Sequence, residues 1–167
     1  MYFSKFPVTL YSLDDKASVQ TVRNILLRNK INDDVKNNFA IYDEYDIMDG
    51  ETPEIVAHKF YGNAQLHWLV LHMNDIIDPR YDWPLNTLNL YNYCVSKYAA
   101  NVNAAHHYIN SNGDIVDSTA VGATPVSNYQ YEQDVNEGKR RIKILKQPYV
   151  DIVMREFFNT LERVNGQ

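Results

Sequence analysis

Between Thr52 and Asn74 the sequence "TPEIVAHKFYGNAQLHWLVLHMN" is punctuated so closely that its backbone has few choices. Thr52 is a helix N-cap, and Pro53 suits the first helical position, where a backbone N–H would have had no partner. Gly62 can take the left-handed conformation that ends a helix, and Asn63 can cap a second helix at once. The spacing predicts two short helices joined by almost nothing. Ile55, Val56 and Phe60 give the first its apolar face. Leu66, Trp68, Leu69, Val70, Leu71 and Met73 surround the second, which predicts a helix buried on nearly every side.

Upstream, "NNFAIYDEYDIMDGETP" reads as a strand through Ile41, Tyr45 and Ile47 that ends in an Asp49-Gly50 turn. The first 16 residues read as a short, aromatic and partly extended arm. In "DDKASVQTVRNILLRNKI", Asp15 or Ser18 can cap an amphipathic helix carrying Val19, Val22, Ile25 and Leu26. Downstream, Pro79 and Pro84 break the chain. "NTLNLYNYCVSKYAANV" is a further helix, with Leu90 or Tyr91, Cys94 or Val95, and Tyr98 facing inward. Asn112-Gly113 marks a hairpin, residues 118–130 a polar surface loop, and "RRIKIL" a strand. The closing segment "QPYVDIVMREFFNTLERV" is a helix with a stripe of Val150, Met154, Phe157, Leu161 and Val164. That stripe is too short for a coiled coil and serves equally to dock on its own domain or on a partner. In the partner case Phe157→Asp leaves residues 45–98 folded and blocks assembly.

Composition narrows the function. Hydrophobic residues make up 45% of the chain, enough for a core, and 13 tyrosines suit surfaces dry on one side and wet on the other. A net charge of -5 argues against nucleic-acid binding. The one basic cluster, Lys139 to Lys143, reads as the start of the "RRIKIL" strand. Cys94 is the single cysteine, which excludes an internal disulfide and fits a reducing compartment. No signal peptide or run of membrane-spanning length is visible, so a soluble protein made in the cytoplasm is expected.

Tests for chemistry find nothing specific. His67 and His72 lie roughly 140° apart on a helix, a poor arrangement for sharing a metal. His106 and His107 are expected on opposite faces of a strand, and His58 has no ligand partner in sequence. Before Gly50, the positions that would ligate calcium are Asp49, Ile47 and Tyr45, two of them unsuitable. Glu51, Glu54, Asp75 and Asp78 could pair as hydrolytic carboxylates, but no nucleophile or phosphate-loop motif accompanies them. No catalytic residue, metal or cofactor is assigned.

The run Tyr45 to Asn74 resembles a LysM module in Tyr45, Gly50-Glu51-Thr52, Val56-Ala57, Phe60-Tyr61-Gly62 and Asn74. The resemblance is closer to one branch, the LysM-like baseplate wedge subunits of contractile-tailed bacteriophages (myoviruses). Its pattern stands here at Tyr61-Gly62-Asn63, Leu66-His67-Trp68, Asn74-Asp75, Asp78-Pro79, Trp83 and Lys97-Tyr98, and again in "RRIKILKQPYVDIVMREFFNTL". Where a sugar-binding LysM returns in a strand after its second helix, this chain leads into the helix around residues 88–99.

The expected fold is α+β: a small LysM-like βαα module with added helices, a C-terminal hairpin and strand region, and a terminal amphipathic helix. Residues 1–38 form an arm and helix, 39–100 the module, and 101–167 an interaction extension. Its core is expected at Tyr45, Val56, Phe60, Gly62, Leu66, Trp68 and Leu69. The resemblance implies a non-enzymatic structural subunit of the baseplate wedge, repeated around a ring and assembled in the host cytoplasm into the virion tail. It joins other wedge proteins, inner-baseplate and sheath-proximal subunits included, with no nucleic acid or membrane. Asn74, Asp78, Arg80, Tyr81, Trp83, Val150, Met154, Phe157 and Leu161 are the candidate contact residues. The alternative is a peptidoglycan-binding LysM module stacking Trp83 or Tyr61 on sugar, with a tail-lysozyme enzyme a distant third.

Overall fold

The computed structural model describes residues 2–12, 19–27 and 29–165. In chain order the strands and α-helices are β1 (Val8–Tyr11), β2 (Gln20–Arg23), α1 (Asp33–Lys36), β3 (Tyr42–Asp46), α2 (Pro53–Tyr61), α3 (His67–Met73) and α4 (Pro79–Asp82). There follow α5 (Thr87–Tyr98), β4 (Ala105–Ile109), β5 (Ile115–Val116), β6 (Thr124–Ser127), α6 (Asn128–Glu137), β7 (Arg141–Leu145) and α7 (Gln147–Asn165). The mixture is α+β. Two compact units divide the chain: Met1–Tyr45, Thr52–Ile77 and Lys143–Gln167 make the first, Asp46–Glu51 and Asp78–Ile142 the second.

In the first unit the punctuation acts as its chemistry requires. The Thr52 side chain accepts the Ile55 N–H, Pro53 opens α2, and Gly62 closes it at φ 66° with its N–H on the His58 carbonyl. The buried face of α2 is Val56, Ala57 and Tyr61, while Ile55 and Phe60 are exposed. Phe60 is thus a surface ring, packed edge-on against Tyr45 at 4.9 Å, and not the core residue expected of it. Tyr45 and Leu66 are half-buried and Gly62 is exposed, whereas Val56, Trp68 and Leu69 are core. Asn63 caps a 3₁₀ turn that runs into α3. Trp68, Leu69, Val70 and Met73 of α3 are all buried.

A second strand does pair with β3, and it is β7, delivered only after the long excursion through residues 78–140. Asn74 ties the end of α3 to that strand. Its amide donates to the Val70 and Lys143 carbonyls, both at 2.9 Å, and its oxygen accepts the Lys143 N–H at 2.7 Å. The Tyr61 hydroxyl accepts the Leu145 N–H at 3.1 Å, and burial pushes its phenol up.

Helix α7 lays its apolar face on the same unit. Val150, Val153, Phe157 and Leu161 are buried, with Met154 half-buried at the flank. Phe157 packs 5.1 Å from Trp68, and Tyr2 joins the cluster 4.9 Å from Trp68. Fully burying side chains of this size contributes about 1.5–3 kcal/mol each. The side chain of Val164 lies outside the described residues.

The helix expected from residue 18 onward is absent where the chain is described. Residues 20–23 are β2, antiparallel to β1, with Val8 opposite Arg23 and Tyr11 opposite Gln20. Val19, Val22, Ile25 and Leu26, the supposed apolar stripe, are all exposed. Their spacing matched a helix by coincidence, while β-branched Thr21 and Val22 found Leu10 and Thr9, respectively, across the ribbon. Asp15 and Ser18, the candidate caps, lie outside the described residues.

The second unit packs α5 on α6. Leu90, Cys94 and Val102 form its apolar cluster, with Leu85, Tyr98 and Tyr129 against it. Helix α6 and strand β6 occupy much of what was expected to be a surface loop, 118–130. The buried side chains of α6 are Asn128, Glu132 and Asn136, one per turn on a single face. A reading of hydrophobic periodicity cannot see such a helix.

Strands β5, β4 and β6 make a three-stranded antiparallel sheet, and the expected hairpin turns through Gly113 at φ 85°. The pairing of β4 with β6 skips a residue at His106. That bulge brings the His106 and His107 rings together, contrary to their expected placement on opposite faces.

Candidate protein interface

The sequence candidates separate into internal ties and surface groups. Val150, Phe157 and Leu161 are core of the first unit, so the α7 stripe is spent on its own chain. Asn74 holds backbone on both sides, as described. Trp83 is 6% exposed, and its indole N–H donates to the Glu51 carbonyl at 2.7 Å within the second unit.

Asp78, Arg80 and Tyr81 remain at the surface. Asp78 caps α4 by accepting the Arg80 N–H at 3.0 Å, and it also accepts the guanidinium Nε at 3.0 Å and Nη2 at 2.7 Å. These bonds hold the Asp78 carboxyl below the usual carboxylate range and raise Arg80. The guanidinium carbon sits 5.7 Å from the centre of the Tyr81 ring, which is 71% exposed, and Lys139 donates to the Tyr81 carbonyl. Together they present a flat amphipathic plate of a kind enriched at protein interfaces.

A further apolar surface lies on the N-terminal ribbon, none of whose residues was among the candidate contacts. Every residue of β1 and β2 is exposed, Leu10 at 73%, and Phe3, Val19, Ile25 and Leu26 extend the exposed apolar set around them. Arg23 anchors the ribbon by donating to the Phe6 carbonyl at 2.6 Å. Among the described residues no third strand pairs with the ribbon. In the second unit, Leu88, Tyr91 and Val95 form an exposed stripe on α5, turned away from buried Leu90 and Cys94.

The groups considered for hydrolysis are each engaged locally. Glu51 accepts the Met48 N–H at 2.9 Å, Glu54 is hydrogen-bonded by its own N–H and the Thr52 hydroxyl, Asp75 pairs with Lys36, and Asp78 with Arg80. A hollow of about 360 Å³ in the first unit is lined by Lys36, Asn74, Asp75 and Lys143 among others. Its cations are already in use: Lys36 binds Asp75, and Lys143 donates to the Lys36 carbonyl at 2.8 Å. Among the described residues no helix is long and apolar enough to cross a membrane.

The family described as base plate wedge protein 53 matches residues 1–121. The chain belongs to that family. The match takes in the exposed β1–β2 ribbon, the two punctuated helices and the α4 plate. Baseplate wedge protein gp53 of Enterobacteria phage T4 is 36% identical over 72 residues. That alignment spans 42% of this chain and 36% of the T4 protein's length. Membership in the base plate wedge protein 53 family implies association with other baseplate components, which turns attention from the hollow to the exposed surfaces.

Proposed function

We propose that the chain is a non-enzymatic structural subunit of a phage tail baseplate wedge, joining neighbouring wedge proteins around the tail tube. The observation that carries this reading is the β1–β2 ribbon, exposed on both faces and rich in apolar side chains. A lone two-stranded ribbon is marginal in water and gains most from burial against another surface. The Asp78–Arg80–Tyr81 plate supplies a second contact. Its partners are other wedge proteins, inner-baseplate and sheath-proximal subunits included, in several copies per ring, and assembly in the host cytoplasm precedes incorporation into the virion.

The same proposal takes β3, α2, α3 and β7 as a LysM-like module in which residues 78–140 are inserted before the last strand. Sugar binding by that module has less support. Trp83 and Tyr61, the rings proposed to stack on sugar, are both buried. Co-expression with the wedge proteins of the same phage, followed by size-exclusion chromatography, tests the assembly role. Val8→Ser with Leu10→Ser alters one exposed face of the ribbon and should leave the circular dichroism unchanged while abolishing co-elution. Unaltered co-elution of that variant would remove the ribbon from the interface.

A further inference from the structure

On a regular strand His106 and His107 would point apart, but here Ala105 faces Ser127 and His107 faces Val126, leaving His106 as the extra residue of a bulge. The bulge re-aims His106 onto Tyr131 of α6, where the two rings stack at 3.9 Å with planes 8° apart. The His107 ring stands edge-on to His106 at 5.2 Å and to Tyr131 at 6.1 Å. The two Nδ1 atoms are 2.9 Å apart. Tyr131 therefore acts as a plate that limits how far His106 can turn, and the two Nδ1 atoms are held side by side.

Only one proton fits between nitrogens at that distance, so a neutral pair holds a single Nδ1–H shared with the opposing Nδ1. A divalent ion can bind both nitrogens from beside the line that joins them, once each ring carries its proton on Nε2 and the shared proton has left to solvent. With metal–nitrogen bonds of about 2.0–2.1 Å, nitrogens 2.9 Å apart subtend roughly 90°, the cis angle of tetragonal coordination. We infer that His106 and His107 form a binding site for a divalent transition-metal ion of tetragonal preference, of the Cu²⁺ or Ni²⁺ class. Two Nδ1 atoms hold the ion and its other positions stay open to water. His106 is exposed, which gives the ion a route in. The Glu132 carboxylate, next to Tyr131 in sequence, interacts favourably with positive charge at His106. Among the described residues no third histidine, cysteine or carboxylate completes a cluster, so the site is two-pronged.

Titration of the full chain with Cu²⁺, followed by electron paramagnetic resonance, tests the site. One equivalent should show coupling to two imidazole nitrogens and raise the melting temperature. Either His106→Ala or His107→Ala should weaken binding at least about tenfold and leave coupling to one nitrogen. His106 is exposed, so its removal does not endanger the fold. Tyr131→Phe keeps the stacking plate and should bind as the parent does. A one-nitrogen spectrum in the parent, or parent-like affinity in both alanine variants, would place the ion on His58, His67 or His72 and overturn the assignment.

Discussion

Asn136 holds both backbone groups of Leu85, accepting its N–H at 2.7 Å and donating to its carbonyl at 2.9 Å. One turn earlier on α6, Glu132 accepts from Lys97 and Tyr98, each at 2.7 Å, and one turn before that Asn128 donates to the Asn101 carbonyl at 2.8 Å. A helix with a polar buried face thus positions three different segments of the second unit. Replacing Asn136 with leucine keeps similar bulk but leaves two backbone groups unmet. Asn136→Leu should cost about 2–4 kcal/mol, read from urea unfolding.

Glu132 makes the second unit sensitive to acid. Burial pushes its carboxyl up, but the hydrogen bonds from Lys97 and Tyr98 outweigh that and hold it below the usual glutamate value. Because the folded carboxyl is the stronger acid, the unfolded chain binds more protons as pH falls. The stabilisation is full above the ordinary value near ~4.3 and is lost as pH drops below it through the folded value. Urea unfolding at pH 6 and pH 3 should show a larger loss for the parent than for Glu132→Gln.

Ala99 ends α5 with φ 49° and ψ -123°, a backbone conformation that strains any residue with a Cβ. Ala99→Gly relieves that strain, offset in part by the greater freedom of glycine in the unfolded chain. A net gain of about 1 kcal/mol is expected, which raises the melting temperature by roughly 2–4 °C. Ala99→Val should lower it.

The sequence suggested Phe157→Asp as an interface probe, but Phe157 is 3% exposed and packs on Trp68. A buried, unpaired carboxylate there should prevent folding of the first unit rather than merely block assembly. The milder Phe157→Ala should cost about 3–5 kcal/mol, a large share of a domain's stability, measurable by thermal melting.

What could be read from sequence was what local chemistry decides. Thr52, Pro53, Gly62 and Asn63 set α2 and α3 by capping and φ preference, with no help from distant residues. The pairing of β3 with β7 was invisible because its strands lie far apart in the chain, and α6 because its inner face is Asn128, Glu132 and Asn136. In α7 the apolar stripe was plain, yet a stripe does not say what covers it, and Trp68 does. Of the candidate contacts, Arg80 and Tyr81 lie exposed, as a charged and aromatic loop suggests. Strand β1 falls in the arm expected to be partly extended, whereas β2 was hidden by a spacing that mimics a helix.

Hydrogen exchange on the chain, alone and within assembled wedges, tests the docking role most directly. Amides of residues 8–11 and 20–23 should gain at least about tenfold protection on assembly, while those of α2 and α3 stay unchanged. Incorporation into wedges with the ribbon exchanging as fast as in the free chain would contradict the account.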